Sequence, residues 1–228
     1  MDVDASAAPA TDSGQGYDAT PYLPSRGGLE ALRRAAADCH GCPLFRDATQ
    51  TVFGKGPARA RLMLVGEQPG DQEDVKGEPF VGPAGQLLRR ALDEAGLGAE
   101  DAYFTNVVKH FKFTPAPRGK RRIHKAPSLR EMTACKPWLT EELKRVAPEV
   151  LVVLGGTAGK ALLGSSFRVG ERRGVLLPMP VPIGEEAGSP AGQLLATVHP
   201  SAVLRADDRE SAFAGLVADL SVAATVLE

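Results

Sequence analysis

The sequence predicts an α/β fold: a doubly wound α/β/α sandwich around a central, four-stranded, mostly parallel sheet. Three observations predict it. Four short apolar runs, at residues 61–65, 102–108, 149–154 and 192–198, alternate with stretches of helical periodicity. Each run stops at a turn of Gly, Pro or polar side chains, which is how a parallel strand delivers a loop to the carboxyl edge of a sheet. At 228 residues the chain is long enough for one domain with a substantial core.

Taken in order, residues 1–25 are rich in Ala, Ser, Asp, Gly and Pro and hold little that packs, so a disordered tail is expected there, with the folded domain over 26–228. Residues 29–38 have helical character and run into Cys39-His40-Gly41-Cys42-Pro43, a tight turn that presents two thiols together. On its own this pair fits a metal, a redox dithiol or two ordinary cysteines. The first strand ends in Gly66-Glu67-Gln68-Pro69-Gly70-Asp71. Phe80 follows between turn residues, then a periodic helix over 86–95. The second strand carries Asn106 at its end. A helix opens at Ser128 with Glu131 three residues on, a capping box, and it carries Cys135 and Trp138. The third strand leads into Gly155-Gly156-Thr157, which lacks the Gly-Lys-Ser/Thr ending of a P-loop and reads as packing or a backbone contact. Residues 167–190 read as a hairpin-like excursion without chemistry. The fourth strand ends in His199-Pro200-Ser201, and a helix over 209–226 closes the domain.

The formal charge of −1 gives no global electrostatic signal, so interest is local. Three cysteines, an odd number, argue against a secreted disulfide framework and leave metal ligation open. No run of about 18 apolar residues and no secretory leader is evident, so no membrane span is expected. The one concentrated feature is residues 109–125, dense in Lys and Arg with His110, His124, two Phe and two Pro. Proline and glycine deny it a continuous helix, and it reads as a long loop facing an anionic polymer or, more plainly, as a solvated linker.

The ordered motifs Gly66-Glu67-Gln68-Pro69-Gly70, Pro79-Phe80-Val81-Gly82, Thr105-Asn106-Val107-Val108-Lys109, Cys135-Lys136-Pro137-Trp138-Leu139 and His199-Pro200-Ser201 together resemble the uracil-DNA glycosylase superfamily, in particular its iron-sulfur family 4. Lys120-Arg121-Arg122-Ile123-His124 is similar to the loop that marks the UdgX type. The resemblance spans about residues 29–226. It implies a 4Fe-4S cluster on Cys39, Cys42 and Cys135, with His110 standing where family 4 has a fourth cysteine. It also implies uracil-containing DNA, single-stranded by expectation, as substrate, free uracil as product, a monomer, and a bacterial cytosolic or nucleoid location.

For chemistry, the resemblance implies that Phe80 stacks on an extruded base and that the Asn106 amide reads its O4 and N3-H edge. His199 would stabilise charge developing on O2. His124 would attack C1′ to give a covalent protein–DNA product, with Glu67 orienting it and taking its proton. Gln68 would exclude water and help hold the base, while Arg122 fixes the loop. Leu204 and Arg205 would approach the gap left by the base. Gly66, Asp71 and Ser201 join the substrate-binding set through the same motifs. The alternatives are ordinary hydrolysis with turnover, a non-catalytic nucleic-acid-binding module, and a zinc protein using the same Cys and His set.

Overall fold

The structure, a computed structural model, describes residues 16–115, 122–179 and 192–228. In chain order these form α1 (Leu29–Ala36), β1 (Leu62–Gly66), α2 (Asp71–Lys76), α3 (Pro83–Glu94), β2 (Tyr103–Asn106), β3 (Phe113–Pro115) and β4 (Arg122–His124). Then follow α4 (Leu129–Val146), β5 (Val150–Leu154), α5 (Gly155–Leu163), α6 (Val169–Arg172), β6 (Leu176–Pro178), β7 (Gln193–Thr197), α7 (Pro200–Leu204) and α8 (Arg209–Leu227).

The central sheet has the order β2-β1-β5-β7-β6, parallel except for β6 at the edge, which pairs antiparallel with β7. The four expected strands are its parallel part. The fifth was not expected: Leu176–Pro178 lies in the Gly- and Pro-rich excursion, and three residues are too few to show a period. Strands β1 and β5 are buried along their whole length, as parallel strands covered on both faces must be. Their side chains alternate between two cores. Met63, Val65, Leu151 and Val153 face Trp138, Leu139 and Leu143 of α4, and Leu62, Leu64, Val150 and Val152 face Leu88, Leu92, Phe213 and Leu216 of α3 and α8.

Local chemistry fixes the helix ends. Ser128 and Glu131 form the expected capping box on α4, with Ser128 Oγ accepting from the Glu131 N–H and the Glu131 carboxylate accepting from the Ser128 N–H. Asp208 caps α8, and Pro83 occupies the first turn of α3.

Two expectations require correction. The chain packs from well before residue 26: Ala19 is buried and its N–H donates to the Ala134 carbonyl on α4 at 3.0 Å. The basic stretch is not simply a loop, because β3 and β4 pair antiparallel, Phe113 opposite His124 and Pro115 opposite Arg122. Of that stretch, residues 116–121 lie outside the described residues. Separately, α8 is a 19-residue helix long and apolar enough by length and composition to cross a membrane. Here it packs on α3, β5 and β7, burying Phe213, Leu216, Leu220 and Ala223.

Candidate active site

The carboxyl ends of β1, β2, β5 and β7 converge on one cavity of about 570 Å³. Glu67 and Gln68 enter it from the β1 turn, Asn106 from the end of β2, and His199 and Ser201 from the β7 turn. Phe80 and Arg205 line it as well, and the β3–β4 hairpin brings His124 across the mouth. Sequence reading placed the β1 turn, Asn106 and His199 at the carboxyl edge of the sheet, whereas His124 and Arg205 joined them only through the resemblance; the structure sets all of them around this cavity.

The sheet-edge side is fixed by close backbone approaches. Asn106 is opposite Gly66 in the β1–β2 register and is 3% exposed. A Cβ at Gly66 would stand 2.4 Å from Asn106 Oδ1 and 2.8 Å from Phe80 Cζ, so glycine is what lets the amide and the ring share this space. Phe80 holds a left-handed backbone at φ 56°, a strained state for a bulky residue. Gly85 packs against it so tightly that a Cβ there would be 1.9 Å from the Phe80 carbonyl oxygen. The ring therefore presents a fixed face, tilted 30° from His199 at a centroid distance of 6.4 Å.

His199 has a defined tautomer. The Ser201 N–H donates to its Nδ1 at 3.1 Å, and Ser201 Oγ lies 2.8 Å from the same nitrogen. An Nδ1 that accepts leaves the proton on Nε2. Burial, and then the positive charges that His124 and Arg205 can carry, lower its pKa from 6.5 to about 4. At neutral pH it is an uncharged N–H donor.

The hairpin side is held by different contacts. Gln68 Nε2 donates to the carbonyls of Lys112 and Lys125, both at 3.1 Å, and its Oε1 accepts from the Lys112 N–H at 3.2 Å. One amide thus staples both strands of the hairpin, and its groups are committed there, so Gln68 reaches the cavity as a wall. It is not free to hold a base. Arg122 donates from Nε to Asp71 Oδ1 at 2.6 Å and from Nη1 to the fully buried Asp74 at 2.5 Å, while its guanidinium lies 5.0 Å from the Phe113 ring centroid. Asp71, expected at substrate, instead pairs with Arg122, and the two anchor the hairpin to α2. Leu204 lies on α7 and does not line the cavity, and the neighbouring Val203 is buried in the core.

His124 Nε2 is 3.4 Å from Glu67 Oε1. That oxygen is buried and has no hydrogen-bond partner among the described residues, so the ring is near it without being aligned on it. A buried carboxylate oxygen left open is costly, and it marks a place where a proton or a polar atom is to arrive.

Two features of the cavity were not read as functional from sequence. Glu73 lines it while its Oε1 accepts from the Gly82 N–H at 2.8 Å, tying α2 to the start of α3. Gly155, Gly156 and Thr157, read as packing, form part of its wall, and Gly155, at φ 88°, lies where a Cβ would be 3.0 Å from that of His199. The glycine pair after a strand was the available signal.

Cys39, Cys42 and Cys135 are all buried free thiols. The Trp138 Nε1–H donates to Cys39 Sγ at 3.2 Å and the Lys109 N–H to Cys135 Sγ at 3.3 Å. Burial is the first cause that raises Cys42 to about 11 and Cys135 to about 12, so loading a metal must displace their protons. Buried sulfurs that receive N–H groups suit a cluster's thiolate donor set. Among the described residues no three His, Cys, Asp or Glu converge on a point that would hold a single ion. His110, the expected fourth ligand, turns its Nε2 to Thr51 Oγ1 at 2.8 Å, and burial lowers its pKa to about 4.

A family model, Uracil DNA glycosylase superfamily, matches residues 53–221. The chain belongs to that superfamily. It is 36% identical over 177 residues to a Type-4 uracil-DNA glycosylase of Pyrobaculum aerophilum, covering 78% of this chain and 85% of the relative. A Type-4 enzyme of Thermotoga maritima is 35% identical, with 78% and 83% covered, and one of Archaeoglobus fulgidus is 39% identical over 132 residues, with 58% and 62% covered. These relatives carry the type 4 name and do not distinguish a UdgX type.

Proposed function

We propose that this chain is a DNA repair enzyme that removes uracil from DNA and captures the resulting sugar covalently through His124. The observation that carries the reading is the meeting of His124 with the open Glu67 oxygen, in a cavity that also holds Phe80, Asn106 and the Nε2–H of His199. Uracil flipped from the strand stacks on Phe80, and the Asn106 amide donates to O4 and accepts from N3-H, a pattern cytosine reverses. As the C1′–N1 bond breaks, its electron pair passes to the base, and His199 Nε2–H stabilises the charge on O2. A neutral donor suits this task because it does not surrender its proton early.

With Glu67 beside Nε2 of His124, the ring proton belongs on that nitrogen and the lone pair on Nδ1. Attack of the lone pair on C1′ leaves an imidazolium, whose proton Glu67 accepts. Gln68 supports this by setting the hairpin's position.

A second reading, hydrolysis with turnover, is favoured by the Type-4 names of the relatives and by the part of the Glu67 side chain, 18%, that stays exposed beside His124. Boiling the protein in detergent after mixing it with labelled uracil-containing single-stranded DNA separates the two. A resistant band, absent in His124→Ala, is expected; free uracil released over many turnovers without a band selects hydrolysis.

A 4Fe-4S cluster on Cys39, Cys42 and Cys135 belongs to the same proposal, with the fourth position on His110 only if that ring leaves Thr51. Its chemistry here is structural, pinning the segment that follows α1, the start of the hairpin and α4 together.

A further inference from the structure

Lys109 looks in the sequence like one more cation of a DNA-facing loop, yet its side chain is 1% exposed and that of its partner Glu142 is 0% exposed. The ammonium donates to Glu142 Oε2, to Thr105 Oγ1 at 2.7 Å and to the backbone carbonyl of Asn106 at 2.7 Å. Glu142 Oε1 in turn accepts from the Gly54 N–H at 3.1 Å, Tyr103 OH at 3.0 Å and Thr105 Oγ1 at 3.0 Å. Three donors on Nζ and both carboxylate oxygens are all partnered.

Stability alone does not explain such a pair. Replacing a buried ion pair with apolar residues of similar size is often neutral or stabilising. What an apolar side chain cannot do is hold the Asn106 carbonyl. Asn106 is the last residue of β2, and its side-chain amide makes no hydrogen bond among the described residues. An amide with no partner of its own is aimed by its backbone. The Lys109 N–H also donates to Cys135 Sγ, and its carbonyl accepts from the Val52 N–H at 2.8 Å, so the residue that holds Asn106 is itself held at both ends.

We propose that Lys109, anchored by Glu142, is a positioning residue for Asn106 and through it a determinant of base choice. This rests on the reading of Asn106 as the uracil-selecting amide. The test compares two paired variants on single-stranded DNA carrying uracil or cytosine, under single turnover at saturating protein. Lys109→Met with Glu142→Leu removes the pair and the donor to Asn106. Lys109→Gln with Glu142→Gln removes the charges but keeps an N–H donor, on a side chain one bond shorter.

Because the apolar pair also strands the Gly54, Tyr103 and Thr105 donors that Glu142 receives, its Tm is expected to fall by about 10 °C or more. The apolar pair should lose about tenfold or more in uracil excision rate, with a matching fall in uracil-over-cytosine preference, as loss of one charge-assisted hydrogen bond predicts. The amide pair should recover most of both. Wild-type rate and preference in the folded apolar pair overturn the inference, as do losses in the two pairs that follow Tm instead of the donor. If the apolar pair does not fold, the amide pair decides: retained preference supports the inference, and loss in a folded protein overturns it. Wild-type protein that excises no uracil would instead count against the underlying reading of the site, so the two failures are distinct.

Discussion

The cavity is walled by two regions built on different terms. On one side Asn106, His199 and Phe80 are set by the ends of parallel strands, glycine contacts and backbone amides, and Asn106 and Phe80 are almost fully buried. On the other, His124 rides on a three-residue strand pair, its ring half exposed, and the pair is fastened by one glutamine amide and one arginine. The buried side is suited to recognition and charge stabilisation, which tolerate little displacement. The exposed side is suited to a group that must approach and bond. Changing the first should therefore abolish base choice, and changing the second should alter the fate of the sugar once its bond to the base has broken.

The largest effect is expected from Asn106→Ala, which leaves the N3-H and O4 of uracil unpartnered in a closed site. Uracil excision should fall by about 10³-fold or more, measured as single-turnover base release. His199→Ala should cost about 10²–10³-fold in the same measurement, with DNA binding by fluorescence anisotropy little changed. An equal loss of binding would mean that His199 serves the ground state.

Acid separates the two sides by stability. The unfolded chain takes up a proton on His199 as pH falls past about 6.5, whereas burial delays this in the folded protein until about 4. The contribution is present in full above the higher value and is lost progressively toward the lower one, about 3 kcal/mol in all. Urea unfolding at neutral pH and near pH 5 should show the fall, and His199→Gln should remove this ring's share of it while leaving that of His110, whose pKa burial lowers likewise.

The smallest of these effects is expected from Gln68→Ala. Freeing three hydrogen bonds at the base of the hairpin should slow adduct formation about tenfold while uracil preference stays as in wild type. If preference falls as far as rate, the hairpin takes part in recognition and the contrast between the sides fails.

Much of the buried side was legible in sequence because it is written locally: an apolar run, a turn, and one polar residue at the strand end, as in Asn106 and His199. The hairpin side was less so. Asp71 looked like a substrate contact, because a charge in a string does not reveal which opposite charge folding brings beside it. Lys109 was the plainest case: in a stretch crowded with Lys and Arg, nothing marked it as the residue that would meet Glu142, 33 positions away on α4. Phe80's left-handed backbone was equally invisible, since it comes from Gly85 pressing on its carbonyl. The fifth strand escaped for want of length.

Glu67 and Gln68 are covalent neighbours, and so are His124 and Lys125. The contacts Glu67 to His124 and Gln68 to Lys125 therefore close a small ring of four residues. The gap between carboxylate and imidazole is gauged inside that ring by two dipeptides, one on each wall of the cavity. Moving either wall therefore shifts the amide clasp and the distance at which the chemistry is done together.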